Sequence, residues 1–192
     1  MINPTPKTIY VAHVPSIIGP LFGAATRHGI CVLSLHRLKP GLKMIRRKFP
    51  CSKIQMKDSS LKRKLYCVTD SLKKRKALPC LPLDLRGTTF QKSVWRVLLR
   101  VPIGQTWSYQ QVARNIGCPQ ASRAVGTACA QNPIALLVPC HRIIRHDGTL
   151  GGYAWGLEKK KQLLELEKNL TRIFHDSEKN SKLYGDGPRR LL

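Results

Sequence analysis

Residues 108–131 read SYQQVARNIGCPQASRAVGTACAQ, which is the pattern of two short helices joined by a tight turn. Ser108 is a favourable N-cap for a first helix predicted over 109–116, and Gly117 is suited to end it. The turn leads into a second helix, predicted over about 120–131. Such a pair forms a helix-turn-helix, around which the C-terminal half of the chain is expected to be organised.

The second helix of this pair has two contrasting faces. Small and apolar side chains are expected to be buried on one of them: Ala124, Val125, Ala128 and Cys129. The opposite face carries one long cation among small residues: Arg123, Gly126, Thr127 and Ala130. Such a face would let the helix backbone approach DNA closely while the guanidinium projects into it, and it has too few polar side chains to read a base sequence. Packing of the small residues against another helix is the alternative.

A longer amphipathic helix is predicted before the pair. Its apolar residues recur at helical spacing: Phe90, Val94, Val97, Leu98 and Val101. Thr88 and Thr89 precede this run as caps, and Pro102 ends it. The C-terminal half is therefore expected to be mainly helical.

Residues 137–144 read LVPCHRII, an apolar run that stops at a proline and sets Cys140 beside His141. A thiol with an ordinary pKa of about 8.5 is only slightly ionised at neutral pH, so a nucleophilic cysteine needs a base, a cation or a helix end nearby. His141 and Arg142 are the candidates, and we expect an activated thiolate. Inert packing in the core is the alternative for an isolated Cys-His pair.

The last helix is predicted over about 157–168. Leu163 and Leu164 lie on its apolar face, and Glu167 follows them at three and four residues, so it shares that face. A buried carboxylate needs a partner, because an unpaired charge is costly away from water. His141 is the expected partner, and an exposed glutamate at a frayed helix end is the alternative.

The N-terminal half has the pattern of a small sheet. Residues 8–14, 21–25 and 31–36 are short and rich in strand formers, with a turn at Arg27-His28-Gly29. Residues 40–78 are rich in lysine and arginine, and we expect one or two exposed helices or loops there.

A proline-rich stretch marks the expected junction between two domains. Pro79-Cys80-Leu81-Pro82 breaks any helix, which places the junction over 79–88. We therefore predict an α/β domain over 1–85 and a helical domain that carries the chemistry over 86–169. Residues 170–192 are polar and contain glycine, and we predict a disordered tail.

The chain is strongly basic, with 34 Lys and Arg against 10 Asp and Glu and a net charge of +24. The excess covers both halves and favours a polyanion as partner, because each phosphate contact releases counterions. Solubility alone is the alternative. The run Lys73-Lys74-Arg75-Lys76 is interpreted as a DNA-facing or nuclear-import patch, or else as solvated surface.

The cysteines indicate a reducing compartment. Their number, seven, is odd, and they form no Cys-x-x-Cys pattern, which argues against a secreted disulfide scaffold. The isolated histidines lack zinc-finger spacing, and we predict neither a metal nor another cofactor. There is no signal-peptide pattern and no apolar run near the length of a membrane span, so we expect a location inside the cell.

Several stretches together resemble one protein family, in order and at close spacing over roughly residues 83–168. They are SYQQVA at 108–113, RAVG at 123–126, NP at 132–133, PCHR at 139–142 and GYAWGL at 152–157. The family is that of the methylated-DNA–protein-cysteine methyltransferases, also called O6-alkylguanine-DNA alkyltransferases. The run RGTTFQ at 86–91 is most similar to the bacterial adaptive-response members.

The resemblance implies a two-domain α/β fold, with a small ribonuclease-H-like domain followed by a winged helix-turn-helix domain. It also implies DNA repair by irreversible transfer of an alkyl group from O6 of guanine, or O4 of thymine, to Cys140, so that each molecule acts once. The partner would be double-stranded DNA that contains O6-alkylguanine, bound through its minor groove with the damaged base flipped out. A monomer without a membrane contact is expected, in the cytoplasm of a bacterium or the nucleus of a eukaryote.

The same resemblance assigns roles to the reacting groups. His141, aligned by Glu167, would take the thiol proton through a water molecule. Asn132 would tie the helix-turn-helix to the active-site segment, and Tyr109 would donate to N3 of guanine so that the base leaves neutral.

The resemblance also predicts the surfaces that hold the DNA. Arg123 would fill the gap left by the flipped nucleotide, with Gly126 and Thr127 beside it on the DNA-facing side. The base pocket would be built from the backbone of Cys140 and Ile143 and from the Tyr153–Gly156 loop, which includes Ala154. In that loop Trp155 would narrow the pocket, or else serve in loop packing.

Two other functional classes remain as alternatives: a damage sensor that only binds, and a protein of another kind, either a Cys-His hydrolase or a helix-turn-helix regulator with an incidental cysteine. Damage sensors of the alkyltransferase-like kind bind without reacting, but they lack the cysteine that stands here at position 140. A Cys-His hydrolase should turn over and needs an oxyanion hole, which the sequence does not reveal. A helix-turn-helix regulator should prefer one DNA sequence.

Overall fold

The fold is that of a computed structural model, which describes residues 5–56 and 58–183 and side chains as far as residue 172. In the N-terminal half, β1 (Thr8–Val14), β2 (Leu21–Thr26) and β3 (Gly29–Ser34) pair antiparallel in sequence order. A further strand, β4 (Lys53–Met56), pairs parallel with β1, so the sheet order is β3-β2-β1-β4. All three predicted strands are present, but β3 begins and ends two residues before the predicted range 31–36.

Sequence reasoning did not predict β4, which lies within the stretch expected to be helix or loop. Its four residues alternate between polar and apolar side chains, but the run is short, lies in a lysine-rich stretch, and has three exposed residues of the four. Backbone pairing with β1 at the edge of the sheet and partial packing of Ile54 hold the strand, and four residues of alternation are too few to identify it in the sequence.

Two basic helices cover opposite faces of this sheet. α1 (Leu38–Lys48) buries Ile45 against a cluster that includes Val11 and Phe22. α2 (Ser59–Lys73) buries Leu61, Leu65, Val68 and Leu72 on the other face, where Ala12 and Val14 point. Successive residues of a strand point to opposite faces, which is why neighbouring residues of β1 contact different helices.

The C-terminal half is mainly helical, as predicted. α3 (Thr89–Leu98) and α4 (Tyr109–Asn115) each begin with a complete capping box, Thr88 with Gln91 and Ser108 with Gln111. α5 (Ser122–Ala130) completes the helix-turn-helix. Short strands β5 (Trp107–Ser108) and β6 (Ile143–Ile144) pair parallel beside it, and α6 (Leu157–Leu183) follows.

Two details of these helices differ from expectation. Ala124 is exposed on α5, whereas Val125, Ala128 and Cys129 are buried as predicted. α6 extends well beyond its predicted end, so residues 170–183 are helical and not disordered. Leu170 continues the apolar spacing of Leu163 and is buried, so packing does not stop at 168. Residues 184–192 lie outside the described part of the chain.

The two halves share one apolar core. Along β3, Leu33 exchanges backbone hydrogen bonds with Pro133 and Ala135, and Ile30 with Pro82 and Asp84, all at 2.8 Å. The cluster on the α2 side of the sheet continues without a break into the packing of α3 and α5. β3 is thus the element against which the segment that leads to Cys140 is placed. Among the described residues, no helix has the length and apolar character needed to cross a membrane.

Candidate active site around Cys140

Cys140 opens a short 3-10 turn, Cys140–Arg142, directly after Pro139. Its backbone N–H donates to the carbonyl of Val138 at 2.8 Å, and the residue is only 5% exposed. It lies at one wall of a cleft of about 740 Å³. The cleft is lined from α4, from α5 and from the loop before α6, by residues that include Tyr109, Arg123, Gly126, Cys129, Tyr153 and Ala154.

Asn132 connects the end of the helix-turn-helix to this turn. Its amide Nδ2 donates to the Val138 carbonyl at 2.8 Å and to Cys140 Sγ at 3.1 Å, and its Oδ1 accepts from the backbone N–H of Ile134 at 3.0 Å. Asn132 is itself buried, so these bonds face no competition from solvent. Asn132 therefore lies between the end of α5 and the turn that carries Cys140, which is where the sequence predicted it.

The protonation of Cys140 differs from the expected thiolate. Burial raises the pKa of the Cys140 thiol, while the hydrogen bond from Asn132 and the charge of Lys160 act in the opposite direction without cancelling it. The free site therefore favours the neutral thiol. Because a neutral thiol is a weak nucleophile, the reaction needs a group that removes the proton from Cys140.

His141 and Glu167 meet as predicted, and Arg142 joins them. His141 Nε2 lies 2.8 Å from Glu167 Oε1, while Arg142 contacts both oxygens of the same carboxylate at 2.8 and 2.9 Å. Arg142 also donates to the Val101 carbonyl at 2.6 Å. Burial opposes ionisation of Glu167, but the hydrogen bonds from His141 and Arg142 prevail and lower its pKa to about 2.

This network determines which nitrogen of His141 can act as a base. Because Glu167 is ionised, Nε2 must carry the hydrogen of that contact, which leaves Nδ1 as the acceptor in the neutral ring. Nδ1 is buried and has no hydrogen-bond partner among the residues described. His141 makes no direct hydrogen bond with the thiol within this part of the chain, so proton exchange between them needs a bridging molecule.

Two tyrosines bound the cleft. Tyr109 lies where a Cβ added at Gly126 or Gly151 would meet its side chain, and burial raises the pKa of its hydroxyl, which stays a hydrogen-bond donor. Tyr153 makes an edge contact with the His141 ring at a centroid distance of 6.5 Å. Trp155 packs on Tyr153 at 5.4 Å and lines a neighbouring groove beside α1, not the cleft. Its position therefore fits loop packing and not a narrowing of the base pocket.

The residues predicted to face DNA lie on both sides of the cleft's rim. Arg123 is exposed at the mouth of the cleft, and Ala154 is exposed across from it. Gly126 also lines the cleft, whereas Thr127 is exposed and is not among the lining residues. The Thr127 hydroxyl donates to the Arg123 carbonyl at 3.3 Å.

Ile143 was assigned to the base pocket, and the structure corrects this. The residue is fully buried in β6, and its N–H donates to the Cys140 carbonyl while its own carbonyl accepts from Lys160 Nζ at 2.5 Å. Both backbone groups are therefore engaged inside the protein. Ile143 pairs with Trp107 of β5, which holds this segment in the core.

Lys160 is the group that sequence reasoning missed. It is completely buried, and Nζ donates to the carbonyls of Ile143, Leu150 and Gly152. Burial lowers its pKa from the usual 10.5 to about 8. Lys160 lies three residues before Leu163 on the apolar face of α6, so the spacing that identified Glu167 would have identified it too.

Within the described residues, no group of three or more His, Cys, Asp or Glu side chains is arranged to hold a metal ion. The site thus consists of a cysteine, a histidine with its carboxylate and arginine, an asparagine and a buried lysine beside an open cleft.

Comparison with known proteins matches this architecture to one family. The family model for the DNA-binding domain of 6-O-methylguanine DNA methyltransferase matches residues 89–169. The chain is 42% identical over 151 residues to the bifunctional transcriptional activator/DNA repair enzyme Ada of Escherichia coli K12, covering 78% of this chain and 43% of that protein. It is 56% identical over 87 residues to the methylated-DNA–protein-cysteine methyltransferase of Mycobacterium bovis, covering 45% and 53% respectively.

A solved structure extends the similarity to both halves of the molecule. The structure of Mycobacterium tuberculosis OGT in complex with DNA aligns with a TM-score of 0.69 and 35% identity, covering 84% of this chain and 94% of that one. The chain spans about half the length of the curated relatives it matches. On the family model, the curated relatives and this shared fold, the chain belongs to the family of the methylated-DNA–protein-cysteine methyltransferases.

Proposed function

We propose that this protein repairs DNA by transferring an alkyl group directly and irreversibly from O6 of guanine, or O4 of thymine, to Cys140. The observation that carries the proposal is the position of Cys140 Sγ, held by Asn132 at 3.1 Å in the wall of a cleft large enough for a base. The solved relative bound to DNA and the relatives named as methyltransferases support the same reaction.

The reaction forms a bond between Cys140 sulfur and the alkyl carbon and breaks the bond between that carbon and O6. The thiol proton passes through a water molecule to His141 Nδ1, and Glu167 stabilises the resulting charge on the ring. Tyr109 gives its hydroxyl proton to N3 of the departing guanine, so the base accepts the electrons of the broken C–O bond and leaves neutral. The proton held by His141 then passes through water to the Tyr109 oxygen, which restores both side chains. Overall, the alkyl group replaces the thiol hydrogen, and the base gains a proton.

The buried thiol suits a reaction that starts only when a base has entered. With its pKa raised by burial, Cys140 stays protonated and is protected from other electrophiles until His141 removes the proton. The product thioether has no route back to the thiol within the site. One molecule therefore repairs one base.

DNA would bind along α5 through the minor groove, with the damaged base flipped into the cleft and Arg123 in the space it leaves. Flipping costs a few kcal/mol, and less for a base that is already mispaired. The net charge of +24 supplies affinity that does not depend on sequence. The protein would act as a monomer without a cofactor, in the cytoplasm of a bacterium.

The proposal also includes the identity of the two domains. The sheet order β3-β2-β1-β4, with β4 parallel to β1, supports a ribonuclease-H-like N-terminal domain over 1–85. The short β5–β6 pair next to α4 and α5 supports a winged helix-turn-helix domain from residue 86 onward.

A labelled duplex tests the reaction. Incubation with a duplex that carries radiolabelled O6-methylguanine should leave one label on each protein molecule, and Cys140→Ala should take up none while it keeps its affinity for the duplex. Cys129→Ala is the matched control, since Cys129 is another buried cysteine of the same cleft. Label on Cys140→Ala, or continued turnover with release of the methyl group, would contradict the proposal.

A free base separates chemistry from base flipping. Arg123→Ala should slow repair of the duplex far more than the reaction with free O6-benzylguanine, because only the duplex requires a base to be extruded. Equal losses on the two substrates would place Arg123 in the chemistry or in the fold.

A further inference from the structure

α1 carries a positive charge that nothing nearby neutralises. Its eleven residues include five cations and no acidic residue: Lys39, Lys43, Arg46, Arg47 and Lys48. All five are exposed, and none forms an ion pair within the part of the chain that is described. The first acidic residue of the whole chain is Asp58, so residues 1–57 supply no counter-charge.

A groove connects α1 to the candidate active site. Met44, Arg47 and Lys48 form its α1 wall. The opposite wall comes from the end of α5 and from the loop before α6, including Gln131 and Trp155. Its volume is about 500 Å³, and Ala130 and Ala154 line both this groove and the Cys140 cleft. The basic surface of α1 is therefore continuous with the surface on which the damaged strand would lie.

Three of the exposed cations of α1 lie in a row along one face of the helix. Lys39, Lys43 and Arg47 follow one another at intervals of four residues, so they share one face of the helix at steps of about 6 Å. Arg47 belongs both to this row and to the groove wall, which orients the row toward α5. A row of unpaired cations beside a nucleic-acid cleft is suited to a phosphodiester backbone.

We propose that the row Lys39–Lys43–Arg47 on α1 is a second DNA-binding surface, which holds the phosphate backbone of the same duplex that α5 engages. This inference rests on the proposed function, since it takes the duplex on α5 as given. It assigns the N-terminal half a direct part in DNA affinity, beyond its packing against the C-terminal half. The contacts are to phosphates and carry no sequence preference.

α2 provides the matched control because it lies on the opposite face of the sheet from α1. It is also basic and exposed, at Arg63, Lys73 and the neighbouring Lys76, and its place on the far face of the sheet favours the interpretation of the run 73–76 as solvated surface. Neutralising three cations there changes the net charge of the protein by the same amount. Any difference between the two sets of variants therefore reports position and not total charge.

The experiment compares Lys39→Gln/Lys43→Gln/Arg47→Gln with Arg63→Gln/Lys73→Gln/Lys76→Gln in duplex binding over a range of salt. Each lost phosphate contact should lower affinity by about 5-fold at about 0.15 M salt, so the α1 triple variant should lose roughly 100-fold. Its plot of log affinity against log salt should become less steep by about 2.7. The α2 triple variant should stay within about threefold of the wild type.

The reaction with free O6-benzylguanine serves as the control for folding, because it needs no DNA. Both triple variants should react with it at the wild-type rate, and if the α1 triple variant does not, the single variants Lys43→Gln and Arg47→Gln should each lose about 5-fold in duplex affinity. Equal duplex affinity in the α1 and α2 variants would overturn this inference alone. Failure of the wild type to bind the duplex or take up label would instead overturn the proposed function.

Discussion

Replacing Lys160 with methionine should destabilise the protein by an amount that increases with pH. Methionine has similar length but no donor, so the carbonyls of Ile143 and Leu150 lose their hydrogen bonds in a buried environment. Each buried carbonyl left without a donor costs roughly 1–3 kcal/mol, which predicts a loss of about 2–6 kcal/mol at about pH 9.5, where Lys160 is neutral in the folded protein.

The pH dependence follows from the lowered pKa of Lys160. Burial lowers that pKa from 10.5 to about 8, so the folded protein bears the cost of a buried charge below pH 8 and is relieved of it as pH rises toward the unfolded value. Between about pH 7 and pH 9.5 the wild type should gain roughly 2 kcal/mol from this one group. The Lys160→Met variant cannot gain it, so its deficit should widen by that amount.

Denaturant unfolding at several pH values measures this deficit as the difference between the unfolding free energies of wild type and variant. Other titrating groups largely cancel in the difference. Lys161→Met is the matched control, because Lys161 is the next residue, is exposed and forms an ion pair with the exposed Glu158. Its loss should change stability by less than about 0.5 kcal/mol at every pH. A deficit for Lys160→Met that stays constant from pH 7 to 9.5 would refute the reasoning.

Three further substitutions test the other groups of the site. Glu167→Gln should remove a part of the unfolding free energy that depends on acid. In the wild type the ionised carboxylate stabilises the fold above its unfolded pKa, and roughly 2 kcal/mol of that stabilisation is lost as pH falls from about 6 to 3. The difference in unfolding free energy between wild type and variant, measured in urea, should therefore narrow over that range. Gly151→Ala should slow alkyl transfer, because Gly151 has a φ of +65° and an added Cβ would lie 2.8 Å from the Tyr109 hydroxyl. Gly152→Ala is the control: its added Cβ would meet nothing within 4 Å, so the rate of alkyl transfer should not change. Asn132→Ala should lower the unfolding free energy by about 2–4 kcal/mol and raise the pKa of the Cys140 thiol further, because both hydrogen bonds from the Asn132 amide are lost. Labelling with iodoacetamide across pH measures the second effect. An unchanged labelling profile would show that Asn132 does not influence the reactivity of the thiol.

The local elements beside the site were predictable because their causes are local. Ser108 and Thr88 cap helices through hydrogen bonds to residues three positions away, and these capping boxes are visible in the sequence. The pairing of Glu167 with His141 followed from the position of an acidic residue on an apolar helix face, which demands a partner.

Other features needed the assembled molecule. β4 was missed because its alternating pattern covers only four residues, and pairing with β1 brings it into the sheet. Ile143 and Trp155 adjoin the reacting motifs in sequence, yet one is drawn into the core and the other faces the groove beside α1. The end of α6 was missed because the packing of Leu170, and not the polarity of its neighbours, governs whether the helix continues.

Four features could be inferred from the sequence alone: the helix-turn-helix, its caps, the mixed α/β character, and the cysteine with its histidine and carboxylate. They depend on spacing over a few residues or on the requirement that a buried charge be paired. Three other properties depend on the assembled molecule: the raised pKa of the Cys140 thiol, the anchoring of the loop before α6 by Lys160, and the position of α1 along the same groove system as α5. Burial and long-range contact set these properties, and neither is encoded in the order of neighbouring residues.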